Sequence, residues 1–167
     1  ELGRFAADLD VFNDEVATDV EDNAVGGQMN RLDKMKMNGK EGYFARGRAR
    51  GLDNTHGISK TDANSAGRSV AMFRLAKLLG IGERIVTTTF ATHTRTNQQG
   101  KTTTESGVFS EKAKGREMRE QVEEGTVDIA SPLVQVAMNQ IQMLDMLCAQ
   151  VDRHGGNFFF DPESGEI

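Results

Sequence analysis

Asp152-Arg153-His154, with Asn157 three positions further on, is the stretch whose residue types and spacing best suit chemistry. A carboxylate can orient a hydroxyl and accept its proton, and a carboxamide oxygen five positions away can hold Mg²⁺ against a phosphate chain. His154 can assist at the same loop, and Arg153 can brace it. Asp, Gly and Asn also favour plain surface turns, so the flanks decide. A long apolar segment from Leu133 to Leu147 precedes the stretch, and Phe158-Phe159-Phe160 follows it. A loop leaving a helix core and entering an apolar strand is held at both ends, which an isolated turn is not.

Periodicity outlines the elements that must position this loop. Leu2, Phe5, Leu9, Phe12, Val16 and Val20 recur at spacings of three and four among acids. That pattern predicts an acidic amphipathic helix over residues 1–24, stopped by Gly26-Gly27. Apolar islands on either side of Asn38-Gly39, the dipeptide suited to a type I′ turn, predict a hairpin ending in Gly42-Tyr43-Phe44. Residues 45–65 are poor in apolar side chains and read as a loop carrying Arg46, Arg48 and Arg50. Val70, Phe73, Leu75, Leu78 and Leu79 predict a second helix, capped by Asp62 or Ser65 and stopped at Gly80. β-Branched runs at 84–90 and 102–109 predict an antiparallel pair linked through Asn97-Gln98-Gln99-Gly100. Lys112 to Glu124 is charged and reads as a solvated helix or loop. Ser131 as a capping hydroxyl and Pro132 at the first helical position open a long helix read as buried, with Met138, Met143 and Met146 in its core. Phe158 to Phe160 reads as a strand that turns at Asp161-Pro162 into its own hairpin partner.

Composition removes several classes of function. A length of 167 residues suits one domain with a real core. The net charge of -5 argues against a nucleic-acid partner, which would call for a basic surplus. No apolar run is long enough to span a bilayer. The single Cys148 cannot form an internal disulfide and reads as core packing, which fits a reducing compartment. His56 and His93 stand in polar surroundings, without metal-ligand spacing to each other or to Cys148.

Asp152-Arg153-His154-x-x-Asn157 resembles the catalytic loop of the phosphatidylinositol 3/4-kinase and HipA-like branches of the kinase fold, where the histidine follows the aspartate. Over residues 25–167 the order of elements is similar too. Gly42-Tyr43-Phe44 resembles the strand that ends in the ATP-contacting lysine, and the helix around Ser69 to Leu79 resembles helix C. Gly107 to Gly115 resembles a strand running into the hinge that holds adenine. The resemblance implies an α+β, protein-kinase-like two-lobed fold. Its N-lobe would be a small antiparallel sheet plus helix C, at about 25–111, and its helical C-lobe, from about 112, would be left incomplete at Ile167. Asp152 would then be the catalytic base, with His154 and Arg153 beside it, and Asn157 the Mg²⁺ ligand. Glu111, Lys112 and Ala113 would hold adenine, so that ATP and Mg²⁺ are the implied cofactors. Gly26 and Gly27 could be the remnant of a glycine loop over the phosphates, although no Gly-x-Gly-x-x-Gly pattern is present and a plain turn fits them. The implied substrate is a protein or lipid hydroxyl, met in the cytoplasm or in a host cell entered as a bacterial effector. Oligomeric state is not legible.

Two departures from the family matter. Ala45 stands where the lysine is expected, and no Glu between Asn64 and Gly80 could pair with such a lysine. No Asp-Phe-Gly-like triplet follows Asn157. They leave open a second class of function, a pseudokinase-like or effector module that binds and does no chemistry.

Overall fold

The computed structural model describes residues 18–26, 31–46, 65–96, 99–150 and 157–161. In chain order these form β1 (Thr18–Gly26), β2 (Arg31–Met37), β3 (Lys40–Arg46), helix α1 (Ser65–Leu78), a 3-10 turn (Gly82–Arg84), β4 (Thr88–Thr96), β5 (Thr102–Glu111), β6 (Arg116–Glu117), α2 (Met118–Glu123), α3 (Pro132–Cys148) and β7 (Phe159–Phe160). The class is α+β with a small antiparallel sheet. Two compact units divide the chain, one running to Val70 and including Thr87–Lys112, the other comprising Ala71–Val86 and the chain from Ala113.

The first unit is a five-stranded sheet of order β1-β2-β3-β5-β4 in which every neighbouring pair is antiparallel. Asn38 and Gly39 turn β2 into β3 with φ of 52° and 72°, the left-handed pair a type I′ turn requires. Along Leu32-Asp33-Lys34-Met35-Lys36-Met37, side chains alternate between faces, and Asp33, Met35 and Met37 are the buried set. Met35, Met37, Phe44, Ala91 and Phe109 make the core of that face. Phe44 lies opposite Phe109 in register, and each ring covers a glycine of the other strand. A Cβ on Gly42 would strike the Phe109 ring and the Ser110 carbonyl; one on Gly107 would strike the Phe44 ring and the Ala45 carbonyl. Glycine ordinarily weakens a strand interior, but here an aromatic ring fills the space it leaves.

The second unit is built on α3. Its buried Val134 and Ile141 pack with Met118, Val127 and Phe158, while Leu144 packs with Ala76 and Ile81, flanked by Met72, Leu75, Ile85 and Cys148. Arg84 Nε donates to Gln140 Oε1 at 3.2 Å, tying the 3-10 turn to α3. The short β6 pairs with β7, Arg116 opposite Phe160 and Glu117 opposite Phe159.

Several sequence expectations are corrected. The helix predicted over residues 1–24 does not reach its end, because Thr18–Gly26 is strand paired with β2. A spacing of four, as between Val16 and Val20, satisfies a period of two as well as one of 3.6, so pairing decides. The strand expected from Arg84 starts at Thr88, since Ile85 is drawn into the cluster around Leu144. Lys112–Glu124 is not uniformly solvated, for Met118 and Gln121 are buried. Ser131 makes no side-chain cap; its carbonyl accepts the Gln135 N–H at 3.0 Å, and Pro132 holds the first position. α3 is buried on one face only, with Leu133, Val136, Met143, Met146 and Leu147 exposed, so Met143 and Met146 are not core. Among the described residues β7 pairs with β6, upstream; the hairpin strand expected after Asp161-Pro162 lies outside them.

Candidate functional site

Asn157 is the predicted site residue whose setting is clearest. It is exposed and directly precedes Phe158, which is buried among Met118, Val127, Val134 and Ile141. The Met118 N–H donates to the Phe158 carbonyl at 2.9 Å. Gln121 Nε2 donates to the Phe160 carbonyl at 2.8 Å and to the Arg116 carbonyl at 2.9 Å. An accessible carboxamide thus stands at the edge of a fixed anchor, and its oxygen is a hard neutral donor suited to Mg²⁺. Asp152, Arg153 and His154, read as its partners, lie outside the described residues, as does Gly27.

The residues read as holding adenine are at the end of the sheet. Glu111 closes β5; its N–H donates to the Thr87 carbonyl at 2.9 Å, and its carboxylate is 3.7 Å from Lys40 Nζ. The Lys112 N–H donates to the Glu41 carbonyl at 2.9 Å. Both backbone donors therefore serve the sheet, and Ala113 is half-buried. Gly26 is the last residue of β1, opposite Arg31.

Ala45 faces Leu32 on β2 and Val108 on β5. The next residue, Arg46, was read as part of a loop with Arg48 and Arg50, but it ends β3. Its Nε donates to Glu105 Oε2 at 2.7 Å, and its Nη2 lies 3.8 Å from Asp33 Oδ2. The Asp33 side chain is fully buried. Successive strand residues point to opposite faces, so Arg46 shares neither the face of position 45 nor a charge free of carboxylates. Arg48 and Arg50 lie outside the described residues. His93, expected in polar surroundings, is buried, with its ring 5.7 Å from that of Phe44 and Glu105 opposite it in register.

Sequence reading missed both the Asp33–Arg46–Glu105 group and Gln121. Asp33 carried a signal, because it alternates in phase with Met35 and Met37 and so had to point inward with a cation near it. Gln121 carried none, since one glutamine in a charged segment looks solvated.

Elsewhere, Arg116 clasps Glu124 with Nη1 at 2.8 Å and Nη2 at 2.7 Å. Its hydrogen bonds hold the Glu124 carboxyl below the usual carboxylate range and push the guanidinium still higher. Both side chains are about half exposed, so this is a surface pair of small energetic weight.

Among the described residues no group of three His, Cys, Asp or Glu is placed to hold a metal ion, and no helix is long and apolar enough to cross a membrane. The fold and site together define an α+β protein with an exposed carboxamide seated beside a buried phenylalanine. Compared with protein-family models, with curated proteins and with solved structures, the chain matches none.

Proposed function

We propose that the chain is a kinase-like domain that binds Mg²⁺-ATP and transfers its terminal phosphoryl group to a protein or lipid hydroxyl. The observation that carries this reading is the seating of Asn157: exposed, five positions after Asp152, and backed by the buried Phe158. The order of elements supports it. A hairpin, a helix and an antiparallel pair lead into residues 111–113, and α3 leads towards the Asp152–Asn157 stretch, as the family resemblance implies.

In this reading Asp152 orients the acceptor hydroxyl and takes its proton, with His154 and Arg153 supporting the loop. Asn157 fits Mg²⁺, which takes one or two protein oxygens and completes its shell with water and phosphate. The bound ion would neutralise charge on the phosphates. The carbonyls of residues 111–113 would receive adenine. The location that goes with this is a cytoplasm, the cell's own or a host's.

A thermal-shift titration tests it. Mg²⁺-ATP should raise the melting temperature in proportion to the logarithm of its concentration. Asn157→Ala should lose the magnesium-dependent part of that rise, read against its own melting temperature without ligand. No shift with the unaltered chain would end the nucleotide-binding reading. A second reading, a module that binds and does not transfer, is favoured by Ala45 together with the engagement of Arg46 by two carboxylates. Binding without release of labelled phosphate to any acceptor would select it.

A further inference from the structure

We propose that Gln121 is a positioning residue that fixes the strand following Asn157, and so sets where that metal ligand stands; this rests on the reading of Asn157 just given. Gln121 is 2% exposed and lies one turn from Met118 and beside Val122, in the apolar cluster around Phe158. Methionine or leucine would fill such a place without the cost of burying an amide. The amide is instead used completely as a donor, one hydrogen to the Arg116 carbonyl of β6 and the other to the Phe160 carbonyl of β7.

Those two strands pair over only two residues each, too short a ladder to keep its own register. The Phe160 carbonyl is confined from a second side by Gly115, whose φ is +75° and where any Cβ would strike that oxygen. The Phe158 carbonyl is held by the Met118 N–H, and the Phe158 ring is sunk in the core. Asn157 is thus the first residue outside a clamp whose side-chain member is Gln121. The clamp's other strand, β6, belongs to the same compact unit. A ligand atom displaced by about 1 Å loses most of its value, which makes such supports measurable.

The test uses the whole chain with Gln121→Met, which keeps length and removes both donors, and Gln121→Glu, which keeps shape. Amide hydrogen exchange is read at residues 157–161 and in β2–β5. ATP affinity is read with Mg²⁺ and with chelator, and adenosine affinity serves as the control. Gln121→Met should speed exchange at 157–161 selectively, and should cut the Mg²⁺-dependent gain in ATP affinity about tenfold, the scale for lost outer-shell support. Adenosine affinity should stay within about twofold of the unaltered chain in the same comparison. Gln121→Glu should behave like Gln121→Met at about pH 8 and recover in part towards pH 5, where the protonated carboxyl regains one of the two donor hydrogens. Unchanged exchange at 157–161, or equal acceleration throughout both units, overturns the proposal. If the unaltered chain shows no Mg²⁺-dependent affinity for ATP, the kinase reading falls, while the exchange data still decide by themselves whether Gln121 fixes the strand.

Discussion

Replacing Gly107 with alanine should weaken the five-stranded sheet by about 2 kcal/mol. The new Cβ would meet the Ala45 carbonyl and the Phe44 ring. β3 is paired on both sides, with β2 and with β5, so its carbonyl has little freedom to retreat. The Phe44 side chain, 0% exposed, must move within a filled core. Forcing extra volume into such a core costs about 1–3 kcal/mol, towards the upper end when backbone is involved. Against that, alanine loses less chain entropy than glycine in a strand, by about 0.5–1 kcal/mol. With a urea slope of about 2 kcal/mol/M, the net loss lowers the unfolding midpoint by about 1 M. Tyr43 is the only tyrosine, and the chain has no tryptophan. Its intrinsic fluorescence therefore reports on β3. Adding Phe44→Leu should recover part of the loss, so that the double variant is more stable than the sum of the singles. Gly39→Ala is the control: its Cβ meets nothing within 4 Å but its φ is +72°, so it should lose about 1–2 kcal/mol with no rescue by Phe44→Leu. A Gly107→Ala midpoint equal to or above that of the unaltered chain would refute the argument that the rings need the glycine space.

Leu144→Ala, at a residue 0% exposed, should cost about 2–5 kcal/mol, whereas Met146→Ala, two positions along and 84% exposed, should stay within about 0.5 kcal/mol; helical circular dichroism against urea compares them. Ala45→Lys should raise Mg²⁺-ATP affinity about tenfold by calorimetry, the scale of one charge-assisted hydrogen bond, and no gain would show that position 45 is not the lysine position of the resemblance. Arg116→Gln should return the Glu124 carboxyl to the ordinary range in carboxyl-carbon NMR. Because its folded value is depressed, the pair's contribution is present above the unfolded carboxylate value and is lost as pH falls through the folded one; the variant should lack that acid-range slope.

Local signals carried much of the fold. Asn38-Gly39 sets the first hairpin because few other dipeptides accept two left-handed residues, and the threonine-rich runs before and after residues 97–101 pair as their composition demands. The helical period read from Val70, Phe73, Leu75, Leu78 and Leu79 located α1, of which Val70 is buried and Leu75 packs beside Leu144, whereas Leu78 and Leu79 are exposed. What failed depended on distant partners. Thr18–Gly26 becomes strand only because β2 is there to receive it, and β7 finds β6 some forty residues upstream. α3 looked wholly buried since period analysis counts apolar residues without asking how many faces are covered. Of the candidate site, the setting of Asn157 before an apolar stretch was legible, since Phe158 is buried, whereas Asp152 lies outside the described residues. The fate of Arg46 was not legible, because its carboxylates come from β2 and β5, far away in sequence.

The β3–β5 pairing that unites the sheet joins residues about 60 to 70 positions apart, whereas β2 with β3 and β4 with β5 are chain neighbours. In time this separates fast events from a slow one. The two hairpins can close within microseconds, but their union must wait for the intervening chain to surrender a large loop entropy. Phe44 and Phe109, each lying on the other strand's glycine, are a large buried apolar contact across that seam. Changes there should slow refolding.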